Sequence, residues 1–249
     1  MFVSASTRCW PDLELPSAIE LLEDLDFTAI EIVMDESAEH TRPSELLQDE
    51  SRAIQLVRHT HRLDISGFHL QLGSTGEQHY EDFHAICRLA KATKVVNISV
   101  PSGEQGTPFN EEVEHLRRLV ELAESEGVRV SVRCELGRLS EDPDTLVVLC
   151  NNVEGLGVTL DPSVDVITQT KSKNVDQILK FAHNALLRDT KKDAFQVSVG
   201  QGEVDYGKLV TQLEREKYDR ALTIDMPPLE GHDPRVELRK LRRLLETLI

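Results

Sequence analysis

Four apolar runs in the second half of this chain stop on charged side chains. The alternating stretch Val-Arg-Val-Ser-Val-Arg-Cys-Glu ends in Arg133 and Glu135, and Gly-Val-Thr-Leu is followed by Asp161. Ala-Leu-Leu is followed by Arg188 and Asp189, and Ala-Leu-Thr-Ile by Asp225. Carboxylates in such positions can move protons or hold hard cations, and guanidinium groups fork onto carboxylates and phosphates. The C-terminal ends of strands are where α/β folds place such groups. Asp161 and Asp225 can equally cap the turns that follow them.

The same position in the first half of the chain brings in Trp10, Glu31 and His69, and the last loop adds His232. Trp10 is the only tryptophan; packing and a platform for a sugar ring both fit it. Glu31 fits an interior residue paired with an arginine or a ligand contact. His69 fits a satisfied core histidine or a ligand contact.

The elements that must position these residues recur steadily. Strand-like runs fall at about 2–6, 29–33, 65–70, 95–100, 128–134, 157–160, 185–187 and 221–224, with helical patterns between them. Eight βα units of this size predict a single (β/α)₈ TIM barrel over residues 1–249, and no linker divides the chain. Alternation places Arg129, Ser131, Arg133 and Glu135 on the barrel axis and Val128, Val130, Val132 and Cys134 against the helices. The first helix starts near Pro16 and stops at Asp26, a residue that tolerates a left-handed turn. A long second helix is expected over 44–63, with His59 and His61 on different faces as surface residues. His79 and His84 are assigned to the surface as well. Asn110 is the expected N-cap of the fourth helix, which Gly127 follows. Gly200-Gln201-Gly202 makes a tight loop before a helix capped by Asp205, and Asp233-Pro234 opens the closing helix.

Composition removes several function classes. The formal net charge of −16 lacks the basic footprint of a nucleic-acid or anionic-membrane binder. No apolar run approaches the roughly 20 residues of a membrane span, and the N-terminus has no signal pattern. Cys9, Cys87, Cys134 and Cys150 form no Cys-x-x-Cys pair, which fits reduced thiols in a cytoplasmic protein.

The stretch "LLRDT…VSVGQGEVDYGKLVTQL…YDRALTID" resembles the end of the sugar phosphate isomerase/epimerase family, the xylose-isomerase-like TIM barrels. That family closes with a His-x-His-x-(Lys/Arg)-Asp strand, a Gly-x-Gly-x-(Val/Ile)-Asp loop, a helix and a last strand ending on Glu. Here Asn184 and Leu186 replace the two histidines and Asp225 replaces the Glu. The resemblance implies a divalent metal (Mn, Mg, Co or Zn), no organic cofactor, and proton transfer by carboxylates on strands five and eight. Carried over by position, Asp161 matches the strand-six ligand and Asp225 the strand-eight one. Arg133 stands at the strand-five ligand, Leu186 at the strand-seven histidine, and Arg188 matches the basic residue of the strand-seven motif.

Two outcomes follow for the metal. Arg133 could pair with Asp161 and Asp225 and replace the cation, or Glu135, Asp161 and Asp225, with His69 or His232, could rebuild the site. Two function classes follow as well. One is an isomerase or epimerase for a sugar, sugar phosphate or polyol, with Arg133 and Arg188 binding an anionic group and Asp161, Asp225 or Glu135 moving the proton. The other is a barrel without catalysis that binds a small-molecule ligand or a partner. An endonuclease of the same superfamily would need a His- and Glu-rich metal cluster and a basic DNA surface, and the chain offers neither. Homo-oligomers are common in the family.

Overall fold

A computed structural model describes residues 1–38, 41–169 and 175–249. Its eight strands are β1 (Phe2–Ser6), β2 (Ala29–Asp35), β3 (Asp64–Gln71), β4 (Asn97–Val100), β5 (Arg129–Arg133), β6 (Gly157–Leu160), β7 (Ala182–Leu187) and β8 (Ala221–Ile224). Each pairs in parallel with the next, and β8 pairs with β1, which closes the barrel. The helices are α1 (Leu15–Asp24), α2 (Pro43–Leu46), α3 (Glu50–Arg58), α4 (Gly76–Ala92), α5 (Phe109–Ser125), α6 (Pro143–Asn152), α7 (Pro162–Thr168), α8 (Val175–Ile178), α9 (Tyr206–Arg215) and α10 (Pro234–Glu246). The expected (β/α)₈ TIM barrel is therefore present.

Period-two alternation decides what faces where. Ile32, Phe68, Val130, Val132, Val158 and Ile224 are fully buried against Ile19, Leu22, Phe83, Ile86, Leu116 and Leu241 of the helices. The other face of the strands points to the axis and is polar. There Ser131 Oγ lies 2.7 Å from Thr159 Oγ1 and accepts from Asn97 Nδ2 at 3.3 Å. Asn184 Nδ2 reaches across the barrel to donate to Glu31 Oε1 at 2.7 Å, and Thr223 Oγ1 donates to Asn184 Oδ1 at 2.9 Å.

Local signals fix most boundaries. Asp26 turns left-handed at φ 59° after α1, and Gly127 does so at 73° after α5. Asp205 accepts from Lys208 N at 2.9 Å to open α9, and Asp233 accepts from Arg235 N at 2.9 Å to open α10. The expected helix over 44–63 is instead two helices. Asp49 accepts from Arg52 N at 3.0 Å and starts α3 afresh, which ends before His59. His61 then takes φ 55°, so the exposed His59 and His61 rings meet edge-on in a turn. The fourth-unit helix begins with Pro108 as its N-cap, where no side chain caps the first turn; Asn110 lies inside it.

The loop after β7 is tied to its strand. Asp189 Oδ2 accepts from Gly200 N at 2.6 Å and from Gly202 N at 3.1 Å. A Cβ on Gly202 would collide with the Asp189 carboxylate and lie 2.7 Å from Thr190 N. The Gly-x-Gly spacing is thus what allows a buried carboxylate to gather two backbone donors.

Candidate active site

Parallel pairing brings the ends of β7 and β8 side by side, with Leu187 level with Ile224. The next residues, Arg188 and Asp225, therefore meet. Arg188 Nη2 donates to Asp225 Oδ2 at 2.6 Å and lies 3.0 Å from Asp161 Oδ2, so one guanidinium nitrogen bridges two strand-end carboxylates. Arg8, in the 3-10 turn after β1, approaches Asp225 from the other side. Its Nε donates to Asp225 Oδ1 at 2.9 Å, and its Nη2 donates to Oδ2.

This corrects the expected charge pairing. Arg133 does not reach Asp161 or Asp225. Its Nη1 donates to the carbonyls of Leu70 at 3.0 Å and Ser99 at 2.9 Å, and its Nη2 donates to Gln71 Oε1 at 3.3 Å. Its Nε donates to Glu135 Oε1 at 3.1 Å. The side chain leans toward β3 and β4, whose Leu70 and Ser99 carbonyls accept from it. Glu135 is shared with Arg138, whose Nε lies 3.1 Å from Oε2.

The electrostatics follow from burial and these pairs. Burial alone would raise the Asp225 pKa, but the charges of Arg8 and Arg188 outweigh it and hold the group well below the usual carboxylate range. Asp161 is shifted upward because burial exceeds the opposing pull of Arg188. Its Oδ1 also accepts from Ser163 N at 3.0 Å, so it caps α7 as well as facing the cleft. Glu31 is pushed up to about 8, first by burial and then by the charge of Asp225, with Arg8 and Arg133 opposing. His69 is held well below its ordinary value by burial and by Arg133 and Arg8. At neutral pH Glu31 and His69 are thus both uncharged.

Arg8, His69, Arg133, Glu135, Asp161 and Arg188 line one cleft at the C-terminal mouth. Leu186 and the half-exposed rims of Leu136 and Phe195 supply its apolar wall. The Phe195 ring lies 4.5 Å from the Arg188 guanidinium carbon. Four arginines (Arg8, Arg133, Arg138 and Arg188) face three ionisable carboxylates (Glu135, Asp161 and Asp225), with Glu31 neutral below them. The lining of this cleft therefore carries a small positive excess within a strongly acidic protein, which suits an anionic or oxygen-rich ligand.

Not every expected residue joins the cluster. His232 is exposed on the loop after β8, with Nδ1 3.0 Å from Glu230 O. Trp10 packs against the core and lines a separate groove with Thr7, Val33 and Asp35. Asp189 is spent on the glycine loop. The residues missed from the sequence are Arg8, Arg138, Asn184 as a partner of Glu31, and Phe195. Arg8 stands just past the first strand, so the strand-end rule used for the later strands could have found it. Phe195 sits in a loop with no periodic signal.

The model of the xylose isomerase-like TIM barrel family matches residues 19–248. No curated protein is similar enough to the chain to count as a match. Among solved structures, D-allulose 3-epimerase from Methylomonas sp. in complex with D-allulose is 14% identical with a TM-score of 0.79, covering 100% of this chain and 97% of that one. The 3-keto-D-glucoside 4-epimerase YcjR from E. coli is 14% identical with a TM-score of 0.75, covering 99% of both chains. The candidate 3-DHS dehydratase AsbF from Bacillus anthracis is 15% identical with a TM-score of 0.76, again covering 99% of both. At these identities the likeness speaks to the fold alone.

Proposed function

Since the chain belongs to the xylose isomerase-like TIM barrel family, we propose that it is a sugar or sugar-phosphate isomerase or epimerase that works at this mouth without a divalent metal. The observation that carries the reading is the Arg188 bridge between Asp161 and Asp225. Those two carboxylates are the ones the family resemblance assigns to a cation. Here the Arg188 guanidinium already bridges both, with Arg8 on Asp225 as well, and the remaining ligand positions carry Arg133 and Leu186. The residues present do not fit Mn, Mg, Co or Zn, and no step runs through one.

The arginines then bind and orient. Arg8, Arg133 and Arg188 face the anionic group or hydroxyls of the substrate, and Phe195 offers a ring face beside Arg188. Glu135 is the carboxylate best placed to move a proton. Its side chain is 29% exposed and it reaches the cleft, whereas Asp225 is fully enclosed by its two arginines. Asp161, shifted upward, is the second candidate.

The test is elemental analysis of purified protein together with a turnover screen on D-ketoses and ketose phosphates in EDTA. Metal-free protein that still interconverts a substrate is the expected result. Arg188→Leu should gain affinity for Mn²⁺, because it leaves the buried Asp161 without its arginine and Asp225 with Arg8 alone. Stoichiometric metal in wild-type protein would overturn the reading. A second reading, a binding barrel without catalysis, draws on the pairing of both Asp161 and Asp225 to arginine. Calorimetric binding of a sugar phosphate with no turnover would select it.

A further inference from the structure

Two polar atoms at the bottom of the mouth stand apart from every pairing described so far. Glu31 Oε2 and His69 Nδ1 are both buried, and neither has a hydrogen-bond partner among the described residues. They lie 3.9 Å apart, too far for a hydrogen bond to each other. Their residues are 0% and 3% exposed, and His69 lines the cleft. The other oxygen of Glu31 is held by Asn184, which fixes the carboxyl and leaves Oε2 turned toward His69. A buried donor or acceptor left unmade costs free energy, so such a pair calls for a third atom. At a 3.9 Å separation, one oxygen about 2.8 Å from each could bond both atoms at once.

We infer that Glu31 and His69 form a neutral donor pair that binds the carbonyl oxygen of the substrate and stabilises the negative charge it develops. This rests on the proposed isomerase or epimerase reading and names the groups that take over the polarising work. In the step, Glu135 or Asp161 accepts the proton on the carbon next to the carbonyl. The C–H electron pair becomes the C=C bond, and the carbonyl π pair moves onto oxygen. That oxygen stays hydrogen-bonded to the Glu31 carboxylic O–H and the His69 N–H. Reversal returns the proton to carbon and restores the carbonyl. A carboxylic acid kept neutral by an apolar or crowded site is an effective donor of this kind.

The protonation states agree with the geometry. Glu31 is faced by Asn184 on β7, His69 on β3, Arg133 on β5, Arg8 after β1 and Asp225 after β8, and the balance keeps it protonated up to about pH 8. His69 faces the same arginines and stays neutral across that range.

The experiment follows wash-in of deuterium at the carbon next to the carbonyl of D-fructose, D-allulose and D-fructose 6-phosphate in D₂O. It uses wild-type protein, Glu31→Val, Glu31→Gln and His69→Phe. Wild-type exchange should fall as pH rises through about 8, where Glu31 loses its proton. Glu31→Gln keeps a donor that cannot titrate, so its exchange should persist with that alkaline limb gone. Glu31→Val and His69→Phe should each lose about 10²-fold or more. Exchange by Glu31→Val within threefold of wild type would mean the gap holds only a structural water and would overturn the pair. So would an unchanged alkaline limb in Glu31→Gln. Absence of exchange by wild type on all three sugars would sink the isomerase reading and with it the pair, whereas wild-type exchange that survives in Glu31→Val sinks the pair alone.

Discussion

Arg188 and Asp225 follow neighbouring strands at the same height, and the 2.6 Å bond between them is buried at the floor of the cleft. Asp225 is 0% exposed, Arg188 is 4% exposed, and the same Arg188 nitrogen also serves Asp161. Asp225 is thus the hinge of the charge balance, since it answers two arginines at once.

Asp225→Asn should therefore destabilise the fold by about 3–5 kcal/mol, because it leaves a buried guanidinium with a partly emptied partner. Urea unfolding measures it. The pH dependence has a fixed sign. Asp225 is depressed below its unfolded value of 3.8, so its contribution is present above that pH and lost as acid protonates the folded group. The difference between wild type and Asp225→Asn should be full at pH 6 and shrink below pH 3.8. A difference under 1 kcal/mol at pH 6 would show that the pair is dispensable.

Glu31 gives the opposite slope. Its folded pKa of about 8 lies above the ordinary 4.5, so the stability it contributes is present below 4.5 and is lost as pH rises toward 8. Glu31→Gln removes that titration while keeping the bond geometry toward Asn184. Its midpoint in urea should gain on wild type steadily between pH 4.5 and 8 and level off above. Parallel curves over that range would contradict a neutral Glu31.

Gly202→Ala should cost about 1–3 kcal/mol by forcing the Asp189 carboxylate away from its two backbone donors. The loop should also become an easier target for trypsin at Lys191 and Lys192. Comparing thermal midpoints and cleavage rates with Gly207→Ala separates crowding from a general loss of glycine, since the nearest atom to a Cβ at 207 is 3.7 Å away. Equal behaviour of the two variants would rule out the crowding.

The fold was legible because each βα unit repeats one pattern, and because Asp26, Gly127, Asp205 and Asp233 mark boundaries by local chemistry. The helix expected over 44–63 was not, since periodicity alone misses a second N-cap such as Asp49. At the site, Asp161, Arg188 and Asp225 could be placed from their position after a strand. The partner of Arg133 could not. A long flexible side chain can turn to either side of a barrel, and the choice depended on the carbonyls of Leu70 and Ser99 on strands distant in sequence. Arg8, just past the first strand, was open to the same positional reading; only its pairing with Asp225, 217 residues away, was not.

The polar axis of this barrel has an evolutionary corollary. Barrels of this type more often fill their centre with bulky branched side chains, but here Ser131, Thr159, Asn184 and Thr223 occupy it while the apolar packing lies outside the strands. Robustness and innovation then draw on different residues. Substitutions along the axis can redraw the floor of the cleft for a new ligand without spending the contacts that keep the chain folded.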